Sequence, residues 1–120
     1  MSRWEVEGTH EFAAWFRSLS EAEKADVVTV VELLEAKGPR LRSPYSSAIH
    51  GSRHGHMREL RIQHAGHPYR VLYAFDPRRC AILLLGGDKT GDDRWYERHV
   101  PVADQLYDVY LQELKDEGFI

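Results

Sequence analysis

Residues 57–85 read MRELRIQHAGHPYRVLYAFDPRRCAILLL, and this stretch decides the fold. From Met57 to His64, apolar and charged residues alternate, which is typical of a strand with one buried face. The run from Tyr69 to Phe75 is rich in β-branched and aromatic residues, and Cys80 to Leu85 is nearly all apolar, as in a strand covered on both faces. Because short turns separate these runs, they are predicted to form an antiparallel meander.

Two helices are predicted ahead of the meander. Thr9 and Ser20 are plausible N-caps, because each precedes a run with apolar residues at helical spacing. Gly38-Pro39 ends the second helix, and the short link between the two helices predicts a helical hairpin. Trp4 to Glu7 is predicted to be a short edge strand. The aromatic residues assigned to the core are Trp4, Phe12, Trp15 and Phe16.

The remaining segments complete an α+β domain. Arg40 to Gly55 is predicted to be a loop, with an extended piece near Ala48 to His50. A last helix is predicted over Pro101 to Glu117. The expected fold is a small twisted antiparallel sheet with an N-terminal helical hairpin and a C-terminal helix, in one domain spanning residues 1–120.

The charges are distributed unevenly along the chain. The formal net charge is −3, yet residues 40–79 contain eight arginines and no lysine against Glu59 and Asp76. Arginine suits bidentate contacts to phosphate, and a local positive field can attract a polyanion despite a negative total. The middle of the chain therefore predicts a nucleic-acid surface, with a solvated arginine face as the alternative.

Several function classes are disfavoured by composition. There is no apolar run long enough to span a membrane, and the N-terminus lacks a signal-peptide pattern, so a cytoplasmic protein without membrane contact is expected. Cys80 is the single cysteine, which excludes an internal disulfide and a cysteine-based metal site. No cofactor is expected.

Three short motifs in order resemble the HigB/Gp49-like branch of the RelE/ParE toxin superfamily. They are Met57-Arg58-Glu59-Leu60-Arg61, Pro68-Tyr69-Arg70-Val71-Leu72-Tyr73 and the strand-to-loop segment Ile82 to Thr90. The chain departs from many relatives at Gly86-Gly87-Asp88-Lys89, where a histidine and two adjacent lysines are common. Asp88 is therefore expected to put an anion beside the substrate path.

The resemblance implies a function and partners. It implies the toxin of a type II toxin–antitoxin system, a RelE-like fold, and a metal-independent endoribonuclease that cleaves mRNA and so inhibits translation. It also implies a cognate antitoxin protein that neutralises the toxin. Dependence on the ribosome is left open. The alternatives are a ParE-like gyrase poison and a catalytically silent interaction module, because one fold can carry different functions.

Arg61 and Arg70 are the first candidates for phosphate contacts. Each lies on a predicted strand, so each can be rigidly mounted, but the sequence leaves open whether they share a face of the sheet. The alternative for Arg61 is a surface ion pair with Glu59, worth under about 1 kcal/mol. Lys89 is expected in a glycine-rich loop after a buried strand, where it could approach a phosphate closely or else remain a solvated lysine.

The histidines of the central loop are candidate proton carriers, because histidine titrates near neutral pH. His54 is the candidate carried into the predicted site, with His50 and His56 as the alternatives. The same spacing could suggest a metal site, but Gly51 and Gly55 disfavour the helix such spacing needs, and no metal is predicted.

Aromatic and basic residues complete the predicted site. Tyr96 could donate a proton or stack on a base, and Trp95 could stack on a base or pin the last helix to the sheet. The residues predicted to bind RNA without taking part in the chemistry are Arg53, His56, Arg58, Arg78, Arg79 and Trp95.

Overall fold

A five-stranded sheet and three helices make up residues 3–120, which the computed structural model describes. In chain order the elements are β1 (Val6–Gly8), α1 (His10–Arg17), α2 (Glu21–Lys37), a short 3₁₀ helix (Gly38–Arg40), β2 (Ser46–Ala48), β3 (Arg58–His64), β4 (His67–Phe75), β5 (Ala81–Asp88) and α3 (Trp95–Asp116). The strands lie in the order β1-β5-β4-β3-β2. This arrangement confirms the predicted α+β class, helical hairpin and C-terminal helix.

The sheet is mixed, so the prediction of a wholly antiparallel sheet is wrong at one edge. Strands β2 to β5 pair antiparallel, as the short turns between β3, β4 and β5 require. Strand β1 pairs parallel with β5, with Val6 opposite Ala81. Two helices follow β1 in the chain, and a connection of that length allows a parallel pairing that no tight turn could make.

Both predicted N-caps are present. The Thr9 hydroxyl accepts a hydrogen bond from the Phe12 amide at 3.0 Å and donates to the Leu84 carbonyl at 2.7 Å, so it caps α1 and ties it to the sheet. Ser20 and Glu23 form a reciprocal capping box at the start of α2. These bonds satisfy backbone donors that a helix terminus would otherwise leave free.

The two faces of the sheet bury different cores. Helices α1 and α2 cover the face that carries Leu60, Ile62, Val71 and Tyr73. Helix α3 covers the face that carries Leu72, Ala74, Ile82 and Leu84. Strand β5 contributes to both cores, as its apolar run predicted. Phe12, Trp15 and Phe16 pack against the first core while partly buried.

Three sequence predictions need correction in detail. Trp4 lies outside both cores and packs edge-on against Phe75 at 5.9 Å between ring centroids. Strand β2 begins at Ser46 rather than near Ala48. Helix α3 begins at Trp95, six residues before Pro101, because burial of its first two turns against the sheet outweighs the cost of an internal proline.

Candidate active site

The pairing of β3 with β4 places the two predicted phosphate-binding arginines directly opposite each other. Arg61 pairs with Arg70, and Glu59 pairs with Leu72. Residues opposite each other in an antiparallel pair share a face of the sheet, so Glu59, Arg61 and Arg70 all lie on the face that α3 partly covers. The register therefore shows that Arg61 and Arg70 share a face of the sheet, which alternation along each separate strand could not determine.

Glu59 lies at the centre of a polar cluster on this face. Its side chain is 3% exposed. The Tyr96 hydroxyl donates to Glu59 Oε1 at 2.5 Å, and Arg61 Nε donates to Oε2 at 3.0 Å. Arg70 Nε lies 3.4 Å from Oε1. Glu59, Arg61, Arg70 and Tyr96 are referred to below as the Glu59 cluster.

The two arginines of the Glu59 cluster have different environments. The Arg70 side chain is 9% exposed, and its guanidinium also donates to the Tyr69 carbonyl at 3.0 Å and to the Tyr96 hydroxyl at 3.3 Å. The Arg61 side chain is 41% exposed. Arg61 can therefore contact a ligand that arrives from solvent, whereas Arg70 is buried and its positive charge stabilises the Glu59 carboxylate.

Tyr96 joins α3 to the two strands. Burial, followed by the hydrogen bond to Glu59, raises the pKa of the Tyr96 phenol above its ordinary value. The phenol is therefore protonated at neutral pH and remains a hydrogen-bond donor. The ammonium of Lys89 lies 5.8 Å from the centroid of the Tyr96 ring, which adds a cation at the border of the cluster.

A hollow of about 350 Å³ opens beside the Glu59 cluster. Strand β2 and the residues that follow it form one wall, and α3 forms another. The lining residues are Ser47, Ala48, Ile49, His50, Glu59, Arg61 and Tyr96. This Glu59 hollow thus brings a carboxylate, a guanidinium, a phenol and an imidazole to one concave surface.

Asp88 does not lie beside the Glu59 cluster. It pairs with Tyr69, whose side chain belongs to the first core, so it lies on the sheet face opposite Arg70. Its carboxylate accepts from the Thr90 amide at 2.9 Å and from the Thr90 hydroxyl at 2.5 Å. Asp88 therefore puts no anion beside the Glu59 cluster, and its contacts organise the turn that carries Lys89.

The preceding glycine leaves room for α3 to approach the sheet. Gly87 pairs with Arg70, and a Cβ atom at Gly87 would lie 2.8 Å from the indole nitrogen of Trp95. Trp95 is 2% exposed and stacks on His99 at 4.3 Å between ring centroids. Trp95 thus pins the helix to the sheet, and its ring is too deeply buried to stack on an RNA base.

Most of the predicted RNA-binding residues lie away from the Glu59 cluster. Arg58 lies on the opposite face of β3, where its guanidinium donates to the Ser46 hydroxyl at 3.1 Å. Arg53 and His54 both bind Asp108 of α3. The His54 ring also packs edge-on against Tyr107, whose hydroxyl donates to the Phe75 carbonyl at the far end of β4.

A second basic region lies at that far end. Arg78 binds Asp76 and the Tyr110 hydroxyl, and the Arg79 guanidinium lies 4.8 Å from the Trp4 ring. His56 lines a separate hollow together with Trp4 and Arg79, so it does not belong to the candidate site at the Glu59 cluster. Phe75, at this end of β4, is five residues after Arg70, and five residues of a strand span about 16 Å. The second basic region is therefore well separated from Arg70.

Glu59 is the residue that sequence reasoning missed. The sequence pattern indicates a surface ion pair between Glu59 and Arg61, whereas the structure buries the Glu59 carboxylate. Its position two residues before Arg61 on an alternating strand does indicate a shared face, but its burial depends on Tyr96, which is 37 residues away.

Comparisons with known proteins agree with this fold. The structure resembles one chain of a RelE–RelB complex from Pyrococcus horikoshii OT3, with a TM-score of 0.55 and 18% identity over 76% of this chain and 99% of that chain. It also resembles a mutant of the Escherichia coli toxin RelE in the free state, with a TM-score of 0.59 and 11% identity over 85% and 99% of the two chains. The fold is therefore that of the RelE toxins.

Sequence comparison identifies the family. Residues 14–108 match the family described as phage-derived protein Gp49-like. The chain is 45% identical over 98 residues to "Putative toxin HigB3" of Mycobacterium tuberculosis, covering 81% of this chain and 84% of the relative. It is 37% identical over 106 residues to "Putative toxin HigB2" of the same organism, covering 87% and 53%. The protein belongs to this Gp49-like family of HigB-type toxins.

Proposed function

We propose that this protein is the toxin of a type II toxin–antitoxin pair and cleaves mRNA at the Glu59 cluster without a metal ion. One observation carries the proposal: a buried carboxylate is held between two guanidinium groups at the edge of an open hollow. Membership in a family of HigB-type toxins supports the same reaction. The expected setting is the cytoplasm, where mRNA is translated.

The first step is attack by the ribose 2′-hydroxyl on the adjacent phosphorus. Glu59 accepts the 2′ proton, and the new bond between the 2′ oxygen and phosphorus forms as the bond to the 5′ oxygen breaks. The products are a 2′,3′-cyclic phosphate and a 5′-hydroxyl. A carboxylate that is already fixed by hydrogen bonds has little reorganisation to undergo during this step.

The cations stabilise the charge that develops on the phosphorane. Arg61 donates to Glu59 through Nε, and its side chain is half-exposed, so its terminal nitrogens can contact the non-bridging phosphate oxygens. Arg70 lies behind Glu59 and orients the carboxylate together with Tyr96. Lys89 adds charge at the border of the hollow. The Tyr96 hydroxyl is bonded to Glu59, so we assign Tyr96 to positioning the base.

The chain offers a matched control for this assignment. Arg61→Ala and Arg58→Ala each remove one arginine from β3, but from opposite faces. In cells that express the toxin alone, Arg61→Ala is expected to restore growth and leave transcripts intact, while Arg58→Ala stays toxic. Equal toxicity of the two variants would contradict the proposal. DNA damage with intact transcripts would instead indicate a gyrase poison.

The same charge distribution supports an antitoxin partner. An acidic segment that covers Arg61 and the Glu59 hollow would block the substrate phosphate. Binding of such an antitoxin is expected to weaken at high salt and on Arg61→Ala, because both reduce the electrostatic attraction. A complex with unchanged affinity under both conditions would show that the inhibitor binds elsewhere.

A further inference from the structure

The proposed reaction needs an acid, because the departing 5′ oxygen must receive a proton. Tyr96 is poorly suited to this role, since its hydroxyl already donates to Glu59 at 2.5 Å. His50 lines the Glu59 hollow with Glu59, Arg61 and Tyr96, and its side chain is exposed. An imidazole in this position can carry a proton to a phosphate bound against Arg61.

The loop that carries His50 is fixed to α3 despite its glycine-rich sequence. Asp104 of α3 is 2% exposed. Its carboxylate accepts from the Ser52 hydroxyl at 2.5 Å and from the Arg53 amide at 3.0 Å. The Ser52 hydroxyl in turn accepts from the His54 amide at 2.9 Å. The segment directly after His50 is therefore held by a buried carboxylate.

A second carboxylate one turn further along α3 strengthens this attachment. Asp108 accepts from the Arg53 guanidinium at 2.6 Å and contacts His54 Nε2 at 2.8 Å. Arg53, and then His54, lowers the pKa of Asp108 below its usual range, so the anchor is anionic at neutral pH. The helix that supplies Tyr96 thus also holds the loop that supplies His50, which fixes the two walls of the hollow relative to each other.

We propose that His50 is the general acid of the reaction, a role that rests on the proposed function. The protonated imidazole gives its proton to the 5′ oxygen as the bond from that oxygen to phosphorus breaks. Glu59 ends the step protonated and His50 ends it neutral. Because His50 is exposed and Glu59 borders the hollow, exchange with water returns both groups to their starting states.

The other loop histidines are placed for different contacts. His54 binds Asp108 and packs edge-on against Tyr107, and His56 lines the hollow at the far end of the sheet. His56 is exposed like His50 and lies on the same loop. His56→Ala is therefore the matched control for His50→Ala.

The experiment compares two RNA substrates that differ at one atom. In the second substrate, sulfur replaces the 5′ bridging oxygen at the cleavage site, and a thiolate departs without needing a proton. On ordinary RNA, His50→Ala is expected to slow cleavage by about 10²-fold or more, which is the usual contribution of a general acid. On the sulfur substrate its rate is expected to approach that of the wild type.

The controls separate this inference from the proposed function. His56→Ala is expected to cleave both substrates at the wild-type rate, and Glu59→Gln is expected to cleave both more slowly than the wild type. Equal losses on the two substrates for His50→Ala, or no loss on either, would overturn the acid role while the proposed function stands. A wild-type protein that cleaves neither substrate, free or on ribosomes, would overturn both.

Discussion

Replacing Glu59 with glutamine tests both the structure and the chemistry of the Glu59 cluster. Glutamine keeps the shape of the side chain but removes its charge and one of its two acceptor oxygens. The Arg61, Arg70 and Tyr96 donors around it then have a single carbonyl oxygen to share. Because the Arg70 side chain is 9% exposed, its charge would lie in a poorly solvated position without a counter-ion.

The expected loss of stability follows from this geometry. At the 3.4 Å separation of Arg70 Nε from Glu59 Oε1, the Coulomb attraction is about 5 kcal/mol for an effective dielectric constant near 20. Removing one partner of a buried ion pair costs about 3–5 kcal/mol. A retained hydrogen bond to glutamine favours the lower end, so we expect Glu59→Gln to lower the free energy of unfolding by about 3 kcal/mol.

Urea unfolding followed by tryptophan fluorescence measures this difference. A chain of this length has a total stability of about 6–18 kcal/mol, so the variant is expected to remain folded at room temperature. Glu32→Gln, at an exposed position on α2, is the control and is expected to stay within about 0.5 kcal/mol of the wild type. Under conditions where both variants are folded, Glu59→Gln is expected to cleave RNA about 10²–10⁴-fold more slowly. Wild-type stability together with wild-type cleavage in Glu59→Gln would refute the assignment of Glu59.

Three further predictions concern the fold around the site. Gly87→Ala would place a Cβ 2.8 Å from the buried Trp95 indole and is expected to lower the free energy of unfolding by about 1–3 kcal/mol. Gly55→Ala is the control, because a Cβ at Gly55 would have nothing within 4 Å, and a smaller loss is expected. Urea unfolding measures both. The hydrogen bond from Tyr69, and then Ser20, lowers the pKa of Glu23 to about 2, so the stability it contributes is complete above about pH 4.5 and is lost as the pH falls toward 2. Tyr69→Phe is therefore expected to flatten the fall of stability in that window, measured by urea unfolding at several acidic pH values. Asp104→Ala is expected to lower the free energy of unfolding by about 1–3 kcal/mol and to speed amide hydrogen exchange in residues 50–56. Unchanged exchange would show that other contacts hold the loop.

Local sequence signals predicted most of the elements. Thr9 and Ser20 were recognisable as N-caps because capping depends on the side chain and on the first turn of the same helix. The meander was recognisable because its turns are short and its strands alternate or are wholly apolar. The direction of β1 and the start of α3 were not recognisable from local sequence. Both depend on packing against β5, which is distant in sequence from β1.

The site itself depends on pairing register, which sequence alone did not provide. A shift of one residue between β3 and β4 would have put Arg61 and Arg70 on opposite faces of the sheet. The burial of Glu59 required Tyr96 to arrive from α3, and the orientation of Asp88 away from the site required its pairing with Tyr69. The residue types of the central segment indicated phosphate chemistry, whereas its geometry is a tertiary property.

Analysis of the RNA ends tests the central claim most directly. Purified protein, with RNA supplied free and on ribosomes, is expected to give a 2′,3′-cyclic phosphate and a 5′-hydroxyl, and a single 2′-deoxy substitution at the cut position is expected to abolish cleavage there. Cleavage that leaves a 5′-phosphate, or that continues at the 2′-deoxy position, would show that the 2′ oxygen is not the nucleophile and that Glu59 is not its base.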